Sequence, residues 1–201
     1  TSEYAYADVF GVSNPGGVIK YSNNTLKEYR FNVSLNPELK INQDFKLIGT
    51  IDYNLNKINE DYYLPYLYAA PVFVQRLGNS YNERESQVIR NNSIFTDVRL
   101  AFNKQISLLH KLSATLGVRF NSENFESDYV EGHNSKSNSS INLVGGFKNL
   151  LTDGYNSDTK LIQDYLTADY SYDNRYFVNA IVSVDGSSRF GHQTEGGFRF
   201  L

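Results

Sequence analysis

Asp185-Gly186-Ser187-Ser188-Arg189 places a carboxylate, two hydroxyls and a guanidinium side by side, and is the stretch that most resembles a catalytic loop. A serine nucleophile needs a base and an orienting acid, and is usually raised on a sharp turn. Neither serine here sits in a G-x-S-x-G elbow, and His110, His133 and His192 are far apart in the chain. The stretch therefore reads as structural. Gly186 permits a turn, Asp185 and Ser187 bond to nearby backbone, and Arg189 seeks a carboxylate. The histidines lack metal-ligand spacing and read as solvated turn or loop residues. Asp128, Glu131, Asp153 and Asp158 make a loop acidic, for which solvated charge is the common explanation. Gly145-Gly146 is too short to cradle phosphate. With no cysteine there is no thiolate chemistry and no disulfide. The expectation is a non-enzyme with no catalytic residue, no metal site and no cofactor.

A second constellation is defined by parity. Arg30, Lys46, Asp52, Asp97, Arg99, Arg119 and Asp169 all fall on the polar positions of alternating stretches. Tyr29, Phe31, Val33 and Leu35 alternate with Arg30, Asn32 and Ser34, up to an irregularity at Pro37. After a turn at Asn42-Gln43-Asp44, Phe45, Leu47, Ile51, Tyr53 and Leu55 oppose Lys46, Thr50, Asp52 and Asn54. Ile94, Val98, Leu100 and Phe102 oppose Asp97, Arg99 and Asn103. A turn near Ser107–Lys111 leads to Leu112, Ala114, Leu116, Val118 and Phe120 against Arg119 and Asn121. The third hairpin joins Leu161–Tyr172 to Tyr176–Val184 through Asp173-Asn174, and stops at Asp185-Gly186-Ser187-Ser188.

Weaker signals complete the chain. Glu3–Val12 suggests a strand, and Ser13–Thr25 a loop. Asn56–Asn92 and Ser122–Lys160 lack a sustained period and read as long connections, the second with a short strand at Ile141–Phe147. Phe198–Leu201 opens another strand. About seven strands of roughly 11 to 13 residues result, in a single all-β, antiparallel, up-and-down domain over residues 1–201.

The question is what the apolar parity touches. No run of about 18 apolar residues offers a transmembrane helix, but membrane barrels cross with alternating strands instead. Short turns on one side, long loops on the other, and Tyr or Phe near strand ends favour lipid as the partner, with Tyr170, Tyr172 and Tyr176 in interfacial girdles. The polar parity then lines a wet interior or supports it through hydrogen bonds. Tyr62, Tyr63, Tyr66 and Tyr68 either stack on sugar rings or pack their loop against itself. A net charge of -3 makes no case for nucleic acid. The competing reading is a soluble, secreted β-sandwich or carbohydrate-binding module, in which the apolar parity is buried between layers; a membrane barrel enzyme is the third.

The strand ending in Val184-Asp185-Gly186-Ser187-Ser188-Arg189-Phe190-Gly191 resembles a segment of SusC/RagA-type TonB-dependent receptors of the Bacteroidetes outer membrane, and Arg30–Lys57 is similar in style to the same barrel. The resemblance implies part of a roughly 22-stranded barrel in the bacterial outer membrane. It further implies a SusD-like surface lipoprotein as lid, TonB acting through a plug, and uptake of oligosaccharide or peptide. No stretch of this chain reads as a plug or a TonB-binding segment. Asp185 to Gly191 would be a family motif at a strand end.

Overall fold

The computed structural model describes residues 5–7, 11–135, 147, 149–189 and 197–200. Antiparallel strands dominate: β1 (Asn23–Leu35), β2 (Glu38–Lys40), β3 (Phe45–Leu64), β6 (Glu83–Gln105), β7 (His110–His133), β8 (Asn149–Tyr172), β9 (Tyr176–Ser187) and β10 (Gly197–Phe200). They form one sheet in the order β1-β3-β6-β7-β8-β9-β10, with β2 also paired to β3. A small separate ladder joins β4 (Val72–Val74) to β5 (Gly78–Ser80). Neighbours in the main order are also neighbours in sequence, save for β2 and that small hairpin, so this is an up-and-down meander.

Register fixes the faces. Between β8 and β9, Leu166 pairs with Val182, Ala168 with Ala180 and Tyr170 with Val178. The alternate pairs are Gln163 with Asp185, Tyr165 with Ser183 and Asp169 with Asn179. Because strand side chains alternate, the first set shares one face and the second the other.

The chain divides into two compact units, and the long strands contribute residues to both. Unit 2 comprises Arg30–Leu55, Asn91–Phe125 and Ser157–Leu201. It holds the three tight turns. Asn42 Oδ1 accepts from the backbone N–H groups of Asp44 and Phe45, both at 2.9 Å. The Ile106 N–H donates to the His110 carbonyl at 2.9 Å. Asp173 and Asn174 adopt φ of 52° and 50°, and the Arg175 N–H closes the turn on the Tyr172 carbonyl at 3.0 Å. Asn and Asp tolerate this left-handed geometry better than other non-glycine residues, so the residue choice and the hairpin agree.

Unit 2 lacks an apolar core among its described residues: those fully buried are Asp97, Gly117, Gly186 and Ser187. Its large apolar side chains instead stand open, with Leu35 59%, Leu116 58% and Val178 62% exposed. Burying such a side chain is worth roughly 1.5–3 kcal/mol, so a row of them needs an apolar surrounding.

Unit 1 (Thr1–Tyr29, Asn56–Arg90, Glu126–Asn156) is built differently. Its small core centres on Tyr68, which stacks on Tyr21 at 4.8 Å and lies 5.8 Å from Tyr6. Gly17 presses against the same ring, where a methyl group would collide. Its strand portions are polar on both sides and tied by side chains: Arg90 pairs with Glu126 at 2.9 Å and Asp128 at 3.5 Å, and Arg84 with Asp61 at 3.5 Å.

Several expectations change. The strands run to 20, 23, 24 and 24 residues in β3, β6, β7 and β8, so Asn56–Leu64, Glu83–Asn92, Ser122–His133 and Asn149–Lys160 are strand, not loop. Their ladders extend where neither face is apolar, and without contrast between faces there is no period to read. The sequence expected to be a loop after Ser13 contains α1 (Pro15–Tyr21), because Asn14 Oδ1 accepts from the Gly17 N–H at 3.2 Å and Pro15 occupies the first helical turn. Of the strand expected at Glu3–Val12, residues 5–7 and 11–12 are not strand and the rest lie outside the described residues. The short strand expected from Ile141 also falls mostly outside them, as do Gly145-Gly146. The irregularity at Pro37 is present, between β1 and β2, and the Pro37 carbonyl still accepts from the Gly49 N–H at 2.9 Å.

Replacing Asn174 by Val forces a β-branched residue into left-handed backbone and should lower unfolding free energy by about 1–2 kcal/mol. Asn174→Gly should remain near wild type. Chaotrope titration in detergent distinguishes them, and equal midpoints for the two variants would contradict the turn assignment.

Candidate functional site

Asp97 on β6 is the focus of the polar face in unit 2. It is 1% exposed. Its Oδ1 accepts from Arg99 Nη1 at 2.9 Å, and its Oδ2 accepts from Arg119 Nε at 2.7 Å and from the Tyr165 hydroxyl at 3.0 Å. The Arg119 guanidinium also lies over the Tyr165 ring, 4.5 Å from its centre, and donates to Gln163 Oε1 at 3.2 Å. The ring fits because position 117 is glycine: a Cβ there would overlap it. A buried carboxylate is tolerable only when its charge is met, and here two cations and a phenol meet it.

Beside this cluster is a cavity of about 370 Å³, lined in part by Phe95, Arg119, Asn121, Gln163, Asp185 and Ser187. Its donors and acceptors can hold a polar chain or ligand by hydrogen bonds. Leu161 and Ile162 supply the rest of its apolar lining beside Phe95.

Of the residues expected to share the polar interior, the structure brings Asp97, Arg99 and Arg119 together. Lys46 pairs instead with Glu38 at 2.7 Å, and Asp169 accepts from Asn179 across the β8–β9 ladder. Arg30 lies exposed on β1 and Asp52 partly buried on β3. Tyr165, Gly117 and Gln163 were not anticipated. Their signal was an aromatic ring and a missing side chain on the polar parity of successive strands.

The motif behaves differently from its reading as a turn. Asp185, Gly186 and Ser187 are still in β9, bonded to Gln163, Ile162 and Leu161 on one side and to Arg199, Phe198 and Gly197 on the other. Gly186 has no positive φ, so it is not a turn residue. With a ladder on each side, the strand does not end merely because its side chains become polar. Ser187 Oγ does accept from the Arg189 N–H at 3.2 Å, as expected for local bonding. Ser188 exchanges two bonds with Lys160, each 2.9 Å, and Arg189 Nε donates to Thr159 Oγ1 at 2.9 Å, so a hydroxyl takes the place expected for a carboxylate. Phe190, Gly191 and His192 lie outside the described residues.

Two histidines expected to be solvated are held in strands. His110 begins β7 and its Nδ1 lies 2.6 Å from the Tyr170 hydroxyl. His133 ends β7 at 1% exposure, with Nδ1 2.8 Å from Ser80 Oγ and Nε2 against Glu131 Oε1. Tyr129 donates to the other oxygen of Glu131 at 2.8 Å. Burial, then neighbouring Glu85 and Glu131, push the Glu83 carboxyl up to about 7. Burial and the bond to Glu131 raise the Tyr129 phenol. Sequence distance hid this group, since Glu83 on β6 meets His133 on β7 only when the two strands pair, and Ser80 comes from the end of β5. Among the loop tyrosines, Tyr68 is core and unavailable to a ligand, whereas Tyr66 is 49% exposed and contacts Tyr81.

No family model matches this chain, and no curated protein matches it. Solved structures do. The chain resembles part of the RagAB peptide importer in its closed-closed state, with a TM-score of 0.76 and 15% identity, over 89% of this chain and 20% of that one. The open-open state gives 0.76 and 15%, over 90% and 20%. A further RagAB peptide transporter structure gives 0.75 and 15%, over 89% and 20%. The chain thus spans about a fifth of the length of the chains it matches. At this identity the likeness is one of fold, and it agrees with the resemblance to SusC/RagA-type receptors.

Asp97→Leu should destabilise the protein by about 2–3 kcal/mol, less than the loss of a fully buried pair because Arg99 and Arg119 keep some solvent. Gly117→Ala should lower the melting temperature in the wild-type background but much less in Tyr165→Ala, since the smaller residue removes the collision. Additive losses in that double variant would refute the packing of Tyr165 on Gly117.

Proposed function

We propose that this chain is part of the barrel wall of a TonB-dependent nutrient importer in a bacterial outer membrane. The observation that carries the reading is the apolar face of unit 2. Its Val, Leu, Ile and Phe side chains are exposed in register on successive strands, and the described residues provide no second layer to cover them. Hydrocarbon satisfies that face as a sandwich layer would in a soluble protein. Unit 2 is then the membrane-embedded part and carries the short turns.

The backbone supports the same reading. In a bilayer every peptide group needs a partner, and strands can meet that demand only in a closed barrel. The described sheet has two edges, β1 and β10, which pair with further strands of the whole protein in this account. The polar residues around Asp97 then face the interior, where Arg30, Lys46, Asp52, Arg99, Arg119 and Asp169 line or brace the passage. Their principal role is to hold the wall and an internal plug; the cavity beside Arg119 is the candidate point of contact with that plug or with cargo. The fold likeness supports a peptide as cargo, with an oligosaccharide as the other class, and a SusD-like lipoprotein as the lid over the outer connections. The protein moves its substrate without making or breaking bonds in it.

The chain contains no cysteine, which makes directed labelling clean within it. Spin labels on single cysteines at Leu116, Val178 and Val182 should be broadened by oxygen in reconstituted bilayers. Labels at Asn121, Thr167 and Asp169 should respond to a water-soluble nickel complex. The reverse pattern, or water accessibility at every position, would exclude the membrane wall.

A further inference from the structure

Two apolar side chains break the alternation of the polar face in unit 2. Phe95 shares the parity of Asp97 and Arg99 on β6, and Leu161 that of Gln163 and Tyr165 on β8. Both line the cavity beside Arg119, whose lining belongs wholly to unit 2. The side chains around this apolar floor are ordered by register. Gln163 stands opposite Asp185 in the β8–β9 ladder, and Arg119 Nη1 donates to Gln163 Oε1 at 3.2 Å, so the three form a row across β7, β8 and β9. Two residues along, Leu161 lies between Asn121 on β7 and Ser187 on β9. The Gln163 amide nitrogen, the Asn121 side chain and the Asp185 carboxylate have no hydrogen bond or ion pair among the described residues. Strands lie about 4.8 Å apart, so Arg119 and Asp185 are separated by about 10 Å at the backbone. Opposite charges thus face one cavity without closing on each other.

That polarity matches a peptide group, whose C=O and N–H point in opposite directions when it is trans. Asn121 and Arg119 offer donors on the β7 side, Asp185 offers acceptors on the β9 side, and apolar surface lies between. A hydrogen bond of about 2.9 Å on each edge of such a group gives a span of about 8 Å, close to the width of the row. Taking this face as interior, the reading on which the step rests, we propose that the cavity seats one apolar residue of an extended peptide cargo. Its side chain lies on Leu161 and Phe95, its N–H donates to the Asp185 carboxylate, and the carbonyl preceding it accepts from Asn121 and Arg119. Asp185 thereby gains a role in recognition beyond its place in the β9 ladder. An oligosaccharide fits less well, because sugar rings stack on aromatic faces and the more exposed part of this floor is the aliphatic Leu161.

The test irradiates the full-length protein in detergent with a blocked tripeptide that carries a diazirine analogue of leucine between two alanines, and maps the adducts by mass spectrometry. Adducts should fall at Phe95, Leu161 and their neighbours. The same tripeptide with ordinary leucine should compete, blocked trialanine about tenfold more weakly, and a maltose oligosaccharide not at all. Asp185→Asn keeps the size of the side chain and should lower labelling at this site by about tenfold. Asp169→Asn, elsewhere on the same face, should match wild type. Equal competition by the leucine and alanine peptides, displacement by the oligosaccharide, adducts confined to other positions, or full labelling of Asp185→Asn would each overturn the seat. None of these outcomes bears on whether the apolar face of unit 2 lies in lipid, which the spin labels report separately.

Discussion

Everything in this protein answers to one constraint: a sheet whose apolar face has no layer among the described residues to cover it. Backbone polarity is met strand to strand, so the sheet can exist wherever its neighbours complete the ladder. Side-chain solvation is the remaining problem. Leu35, Leu116 and Val178 are each more than half exposed, and rows of such residues drive aggregation in water. Hydrocarbon removes that penalty without a second sheet. The constraint also explains why unit 2 lacks an apolar core among its described residues.

The opposite face has the complementary difficulty, because charge in a protein wall needs partners close by. Asp97 resolves it for its region by gathering Arg99, Arg119 and Tyr165 across several strands. Such a cluster acts as a rivet: a shift of one residue in register would carry each member to the wrong face and leave the carboxylate unpaired. Gly117 makes the rivet possible by leaving room for a ring. The polar side thus adds specificity to strand pairing beyond that of the apolar side, whose residues the same slip would carry to the polar face.

Unit 1 follows a third logic. Without an apolar stripe, its strand portions are held by ion pairs such as Arg90 with Glu126, and by a tyrosine core around Tyr68. Such strands can support connections rich in tyrosine and acid. They can also bring ionisable groups from distant positions into a dry pocket, as at His133.

The sequence by itself determined the three hairpins, their turns and their two faces, since alternation of Phe45 to Leu55, Leu112 to Phe120 and Tyr176 to Val184 is a local property with a period of two. The turns at Asn42 and Asp173 were equally local, set by side chains that bond their own backbone or tolerate positive φ. Tertiary structure alone decided where the strands end, because ladders at Asn56–Leu64 and at Asp185–Ser187 persist through pairing with neighbours, whatever the side chains show. It alone gathered Asp97 with Arg119 and Tyr165, and Glu83 with His133. Those contacts depend on register between strands far apart in the chain, and register is a relation between segments that no single segment encodes.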